Sequence, residues 1–344
     1  MECRLAEQGL EQGSCLTLHE GRWSRACEVT LMWRDGTPHW LIHSYAHKAP
    51  EQYLSIYQSG CNWSCRKCHS WRFSKRASGG WMSPGNIAKI SEEYAEKNVE
   101  NMYMEPRERA TSWHAHDLCR SCGSCITTGA RSRHCLGKLR LDQMTLLDDM
   151  TWGPAMTIIS FTGGDLACQP EFYALSAEAI KGLGRDLWVL FETNGYGLTP
   201  GNLDTFREAG IDSFWLDIKA HDGGVHRRLM GCPNDRVLEL PAEIVERGFF
   251  LEVSTVCIPG WVEADQIGEI AGLLAGVDPE TPYGIIAFIP ENEMREVPSP
   301  DYGQMVGAFE AARDAGLRNV RVGNLGCFVR DMEQYEALLG MGAI

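Results

Sequence analysis

From about Tyr53 onward, short apolar and β-branched runs alternate with amphipathic stretches of helical period, the signature of a parallel sheet wrapped by helices. The runs at 54–57, 157–161, 187–192, 213–218, 251–257, 285–289 and 319–322 are read as its strands. Ser83 and Pro84 open one helix as cap and first residue, with Ile87, Ile90 and Tyr94 at helical spacing, and Gly210 and Gly316 close two others. The first fifty residues follow a different pattern. Val29, Leu31 and Trp33 alternate up to Asp35-Gly36, and Trp40 and Ile42 resume beyond it, which is a hairpin signal. The expected organisation is a β-rich N-terminal cap over 1–52, an α/β body over 53–330 and a C-terminal helix over 331–344. The stretch 69–156 is too long for a loop between neighbouring strands, so an insertion over 100–150 must carry structure of its own.

Charge narrows the picture. With 32 Lys and Arg against 46 Asp and Glu, the 344-residue chain carries −14 and repels the nucleic-acid backbone. It has no 18-residue apolar run, and its acidic start lacks an apolar leader core, so a cytoplasmic protein without membrane or nucleic-acid partners is expected. Fourteen cysteines in a reducing compartment read as metal ligands before disulfides. Seven of them fall in two clusters. The others, Cys3, Cys15, Cys27, Cys168, Cys232, Cys257 and Cys327, are scattered, as buried structural thiols are.

The first cluster, Cys61, Cys65 and Cys68, follows directly on a predicted strand at C-x3-C-x2-C spacing. Three thiolates suit a 4Fe-4S cluster with one iron left without a cysteine; a zinc site short of a ligand and a set of buried thiols are the alternatives. Here the chain resembles the radical S-adenosyl-L-methionine (SAM) superfamily over roughly 53–322, which implies a partial parallel (β/α) barrel. Phe161-Thr-Gly163-Gly164-Asp165 follows the second strand, where that superfamily has a Gly-Gly-Glu motif meeting the amino group of SAM; the acid here is one methylene shorter. Glu192-Thr-Asn194-Gly and Asp217-Ile-Lys219 end the next two strands and resemble elements of glycyl-radical-enzyme activating proteins. There the acid meets the ribose hydroxyls and the lysine faces the methionine carboxylate, chemistry that suits these donors and acceptors. An ion pair on the surface is the plain alternative for Asp217 and Lys219.

The insertion carries Cys119, Cys122, Cys125 and Cys135, enough thiolates to close a tetrahedral site, with zinc, a single iron and a second cluster all open on ligand identity. Leu136 stands where a ferredoxin-like run has proline, and His114, His116 and His134 read as solvated loop residues. The arrangement is most similar to the radical SAM family that C-methylates an arginine of methyl-coenzyme M reductase in methanogenic archaea. Shared features include the later segments Gly231-Cys-Pro-Asn234, Ile258-Pro-Gly-Trp261, Ala287-Phe-Ile-Pro-Glu291 and Val322-Gly-Asn-Leu-Gly326. That resemblance implies iron over zinc in the four-cysteine loop, and a tyrosine, here Tyr103, on the open iron of the catalytic cluster; a core aromatic is the plain alternative for Tyr103. It also implies cobalamin as methyl carrier, although the chain stops at Ile344 without room for the family's small C-terminal corrinoid domain.

The expected activity is generation of a 5′-deoxyadenosyl radical followed by arginine C-methylation. Expected partners are the reductase alpha subunit and an electron donor such as a ferredoxin or flavodoxin. A glycyl-radical activating enzyme is the runner-up, and a non-catalytic iron–sulfur or zinc protein the reading from another class, disfavoured because an electron carrier closes all its iron positions with protein ligands. Arg66, Lys67, Arg72, Lys75 and Arg76 read either as a solvated loop or as a docking surface for an acidic partner or anionic cofactor group.

Overall fold

The computed structural model describes residues 3–48, 52–98, 118–154 and 156–344. Its strands are β1 (Leu16–His19), β2 (Arg22–Arg25), β3 (Leu31–Arg34), β4 (Thr37–His47), β5 (Leu54–Gln58), β6 (Gly80–Met82), β7 (Met144–Leu146), β8 (Trp152–Pro154), β9 (Ile158–Gly163), β10 (Trp188–Thr193), β11 (Ser213–Asp217), β12 (Phe250–Cys257), β13 (Tyr283–Ala287) and β14 (Val320–Gly323). A sheet of order β14-β13-β12-β11-β10-β9-β5-β4-β3 forms the body, parallel from β5 through β14. Helices fall between successive parallel strands, so the fold is a partial (β/α) barrel as expected. Each predicted body strand is present, shifted by at most two residues at either end.

The two faces of the strands differ in chemistry. Phe161, Phe191 and Phe214 are in register across β9, β10 and β11 and point under the helices, where Phe191 meets Tyr173 and Phe206 at 4.2 and 5.7 Å between ring centres. One residue on, Glu192, Trp215 and Glu252 form a second row on the opposite, polar face. Helix ends are locally specified. Thr199 accepts a hydrogen bond from the amide of Asn202 to cap helix Pro200–Ala209, Asp222 does so from Val225 for Gly223–Met230, and Gly210 and Gly231 end these helices at φ +88° and +82°.

The N-terminal hairpin also forms: Asp35 and Gly36, both at positive φ, join β3 to β4 with Leu31 opposite Trp40. The cap strands join the body itself, because β4 pairs antiparallel with β5, and Trp40 is fully buried against Phe172 and Tyr173. No helix among the described residues is long and apolar enough to cross a membrane.

Candidate active site

Parallel strands aim their C-terminal ends at one mouth, and the sequence motifs for chemistry sit there. Cys61, Cys65 and Cys68 follow β5 in a loop whose thiols lie within electrostatic reach of one another. Burial, then Asp165 and Cys65, push the Cys61 thiol well up; burial, then Cys68, push Cys65 up to about 12. Three donors or partners address the sulfurs: the Trp63 amide at 3.4 Å and Asn194 Nδ2 at 3.6 Å to Cys61 Sγ, and Ser74 Oγ at 3.2 Å from Cys68 Sγ. The donor set fits a cluster of several irons. Buried thiols next to a carboxylate are poor thiolates alone, and bound cationic metal with N–H···S bonds is what stabilises the deprotonated form. Among the described residues no three His, Cys, Asp or Glu side chains close round a single ion.

The glycines after β9 act through backbone packing. A Cβ on Gly164 would lie 1.9 Å from the carbonyl oxygen of Gly60 and 2.6 Å from that of Gln58, and Gly163 sits at φ +88° against Phe73. Two loops therefore touch backbone to backbone directly before Cys61.

The carboxylates, expected to face SAM, are engaged by the chain. Asp165 is buried; Oδ2 accepts from Thr193 Oγ1 at 2.7 Å and the Asn194 amide at 2.8 Å, and Oδ1 from the Ala167 amide at 2.8 Å. Burial nonetheless raises its pKa above the usual carboxyl range. Glu192 accepts from Tyr53 at 3.1 Å, Ser160 at 2.8 Å and Thr162 at 2.6 Å. Asn194 donates to Asn62 Oδ1 at 2.7 Å and accepts from the Tyr196 amide at 2.9 Å, tying the cluster loop to the end of β10.

Asp217 and Lys219 are paired with each other, but not as a surface pair: Lys219 is buried, and Ser254 Oγ donates to Asp217 Oδ1 at 2.5 Å. Burial works against the Lys219 charge, yet Asp217 and Cys65 outweigh it and raise its pKa. Lys67, read from the sequence as part of a solvated loop or of a docking surface, sits between Cys65 and Cys68, and burial and Lys219 lower its pKa to about 8. Two cations beside Cys65 make this corner of the mouth a place for an anion.

The other basic residues are met from within. Glu291 lies 2.7 Å from His69 Nδ1, accepts from Trp71 Nε1 at 3.2 Å and stands 3.9 Å from Arg72; Glu293 pairs with Lys75 at 2.8 Å and Arg66 at 3.9 Å. Asn292 Nδ2 also donates to the Cys65 carbonyl at 3.2 Å. The loop after β13 thus neutralises most of the strip read as a docking surface.

His226 shows how the cluster loop responds to acid. Its ring is buried, donates from Nδ1 to the Cys232 carbonyl at 2.8 Å, and packs edge-on against Trp63 at 4.9 Å. Burial lowers its pKa from 6.5 to about 4. A depressed folded-state pKa gives stability that is present above 6.5 and lost as pH falls toward 4, here about 3 kcal/mol. Chemical denaturation at pH 7 and pH 5 should show that loss beginning, and His226→Gln should flatten the slope; an unchanged slope would exclude His226 as its source.

The four-cysteine loop lies elsewhere. Leu118 packs with Tyr53, Met156, Ile158 and Leu190, and Gln52 Nε2 donates to Ser121 Oγ at 2.7 Å, which anchors the loop at the starts of β5 and β9, away from the mouth. The Ser121 amide points at Cys119 Sγ at 3.3 Å, and the Cys119 thiol is in electrostatic reach of Cys122, Cys125 and Cys135. Its far side docks on helix Met332–Met341 through Arg133–Glu336 at 2.7 Å and His134 against Tyr335. Tyr103, His114 and His116 fall outside the described residues.

The sequence profile of the radical SAM superfamily matches residues 146–274. Residues 146–274 are thus similar to a radical SAM domain. A protein of Methanocaldococcus jannaschii, provisionally named a glycyl-radical enzyme activating enzyme, is 30% identical over 158 residues, which are 45% of this chain and 58% of that protein. Among solved structures, a domain of pyruvate-formate lyase-activating enzyme from Bacteroides vulgatus aligns at TM-score 0.41 and 19% identity over 48% of this chain and 98% of that one. SuiB of Streptococcus suis aligns at 0.47 and 12% over 83% and 50%. A radical SAM domain implies a 4Fe-4S cluster and SAM; Cys61, Cys65 and Cys68 precede the matched residues.

Proposed function

We propose that this radical SAM enzyme methylates a carbon of an arginine side chain in a protein substrate, the methyl-coenzyme M reductase alpha subunit by resemblance. The observation that carries the reading is the pairing of an open-iron cysteine triplet with a four-cysteine loop docked on the same barrel through Leu118 and Ser121. When bound, the cluster supplies the electron that cleaves SAM to methionine and a 5′-deoxyadenosyl radical. Cys61, Cys65 and Cys68 would hold it, and Asn194 would orient Cys61. The half-buried backbone at Gly163, with Gly164 packed behind it, would meet the SAM amino group, and Lys219 with Lys67 its carboxylate. Glu192, held by Tyr53, Ser160 and Thr162, would meet the ribose hydroxyls. Tyr103 would cover the open iron before substrate arrives. No described residue is assigned to cobalamin.

Anaerobic reconstitution with SAM, a one-electron reductant and a reductase peptide should yield 5′-deoxyadenosine and one added methyl on arginine carbon, read by mass spectrometry. No deoxyadenosine would overturn the reading. The relative in Methanocaldococcus jannaschii favours a second one, activation of a glycyl-radical enzyme; deoxyadenosine with a glycyl radical on the partner, and no methyl gain, would select it.

The four-cysteine loop is proposed to hold iron and to order the insertion, whose stretch from about 105 to 140 is rich in polar and charged residues. Cys122→Ala with Cys125→Ala should remove that metal, expose the insertion to protease and lower product formation several-fold while the Cys61 cluster remains. Full activity without the second metal would make the site dispensable.

A further inference from the structure

The hairpin of β1 and β2 has one outward and one inward face. Leu18 is paired with Trp23 and Leu16 with Arg25, so these four side chains share a face. Leu18 also bridges Arg76 in parallel: its amide donates to the Lys75 carbonyl and its carbonyl accepts from the Ala77 amide, each at 2.9 Å, which puts Arg76 in the same row. This face is outward, since Leu16 and Trp23 are 54% and 59% exposed and Arg76 is exposed, whereas Thr17 on the other face is fully buried. Its two rows hold two arginines and no acidic side chain, on a chain of net charge −14. Arg76 pairs with neither Glu291 nor Glu293, unlike Arg66, Arg72 and Lys75. The inward face leads to the cysteine loop. Thr17 Oγ1 donates to the Ser74 carbonyl at 3.2 Å, and Ser74 Oγ lies 3.2 Å from Cys68 Sγ.

We propose that this face, with Trp23 as its apolar centre and Arg25 and Arg76 beside it, docks an acidic one-electron carrier protein that reduces the cluster. The proposal rests on the radical SAM reading above, in which SAM cleavage consumes one electron. Charge selects the occupant: an acidic surface complements the arginine rows and is repelled by the net charge of the chain as a whole, so it is steered here. Exposed Trp and Arg are the residue types that carry most binding energy once a partner covers them. Electron transfer weakens steeply with distance, and from this face the hairpin strand and two hydrogen bonds lead to the sulfur of a proposed ligand. The carrier is oxidised by one electron and the cluster reduced by one; no bond forms or breaks and no proton moves.

Anaerobic stopped-flow reduction of the reconstituted full chain tests the face without any assay of product. Flavodoxin hydroquinone, an acidic carrier, should reduce the wild-type cluster at a rate that falls about tenfold between roughly 50 and 300 mM salt. Trp23→Ala with Arg76→Glu should slow that reduction about tenfold at low salt. Dithionite, a small reductant that needs no docking, should reduce both proteins at one rate. A flavodoxin rate that ignores salt, or is equal in the two proteins, would overturn the docking face, as would a variant that is slow with dithionite too. So would a variant that keeps its flavodoxin rate but no longer binds the reductase peptide, because the face would then belong to the substrate. Wild-type enzyme that takes the electron from dithionite yet yields no deoxyadenosine would overturn the proposed function and leave the docking result standing.

Discussion

Gly164→Ala is expected to give a chain that takes up no cluster at Cys61 and makes no deoxyadenosine. The added methyl would sit 1.9 Å from the Gly60 carbonyl oxygen, a backbone atom with no rotamer to swing away. Relief requires the loops after β5 and β9 to part by about 1 Å, which costs roughly 3 kcal/mol at the upper end of overpacking. It also stretches the Gly164 amide bond to the Gln58 carbonyl, now 2.8 Å. Because Gly60 immediately precedes Cys61, the displacement falls on a proposed ligand. Iron content after reconstitution reads the effect. Gly272→Ala, in helix Ala264–Val277 with open space around its Cβ position, is the control and should leave iron content unchanged.

Asp165→Ala should destabilise the chain by about 3 kcal/mol, because it strands three donors, the Thr193 hydroxyl and the Asn194 and Ala167 amides, in a buried pocket. The consequence reaches the sulfur: once the turn after β10 loosens, Asn194 no longer donates to Asn62 and Cys61. A denaturant midpoint shift together with loss of the reconstituted cluster is expected. If Asp165→Ala kept wild-type stability, the bracing role would be refuted. Asp165→Asn, which preserves shape, should fall between the two.

Much of the fold was legible because parallel strands buried under helices read as unbroken apolar runs, and these have few competing interpretations. The triplet was legible because its three ligands are local. The carboxylates were located but their engagement was not: that Asp165 turns to Thr193 and Asn194, or Glu192 to Tyr53, depends on register between strand ends whose residues are 28 or more positions apart. The paired charges of Arg66 and Lys75 were hidden for the same reason, since Glu293 is over two hundred residues away.

The loop that carries Cys65 is completed very late in the chain. Asn292 holds the carbonyl of Cys65, the Glu293 amide donates to the carbonyl of Arg66 at 3.0 Å, and Glu291 receives His69 and Trp71. On the ribosome, these groups emerge only after some two hundred residues have followed the last ligand cysteine. The loop therefore reaches its final shape only after the segment that follows β13 has been made, long after its own cysteines.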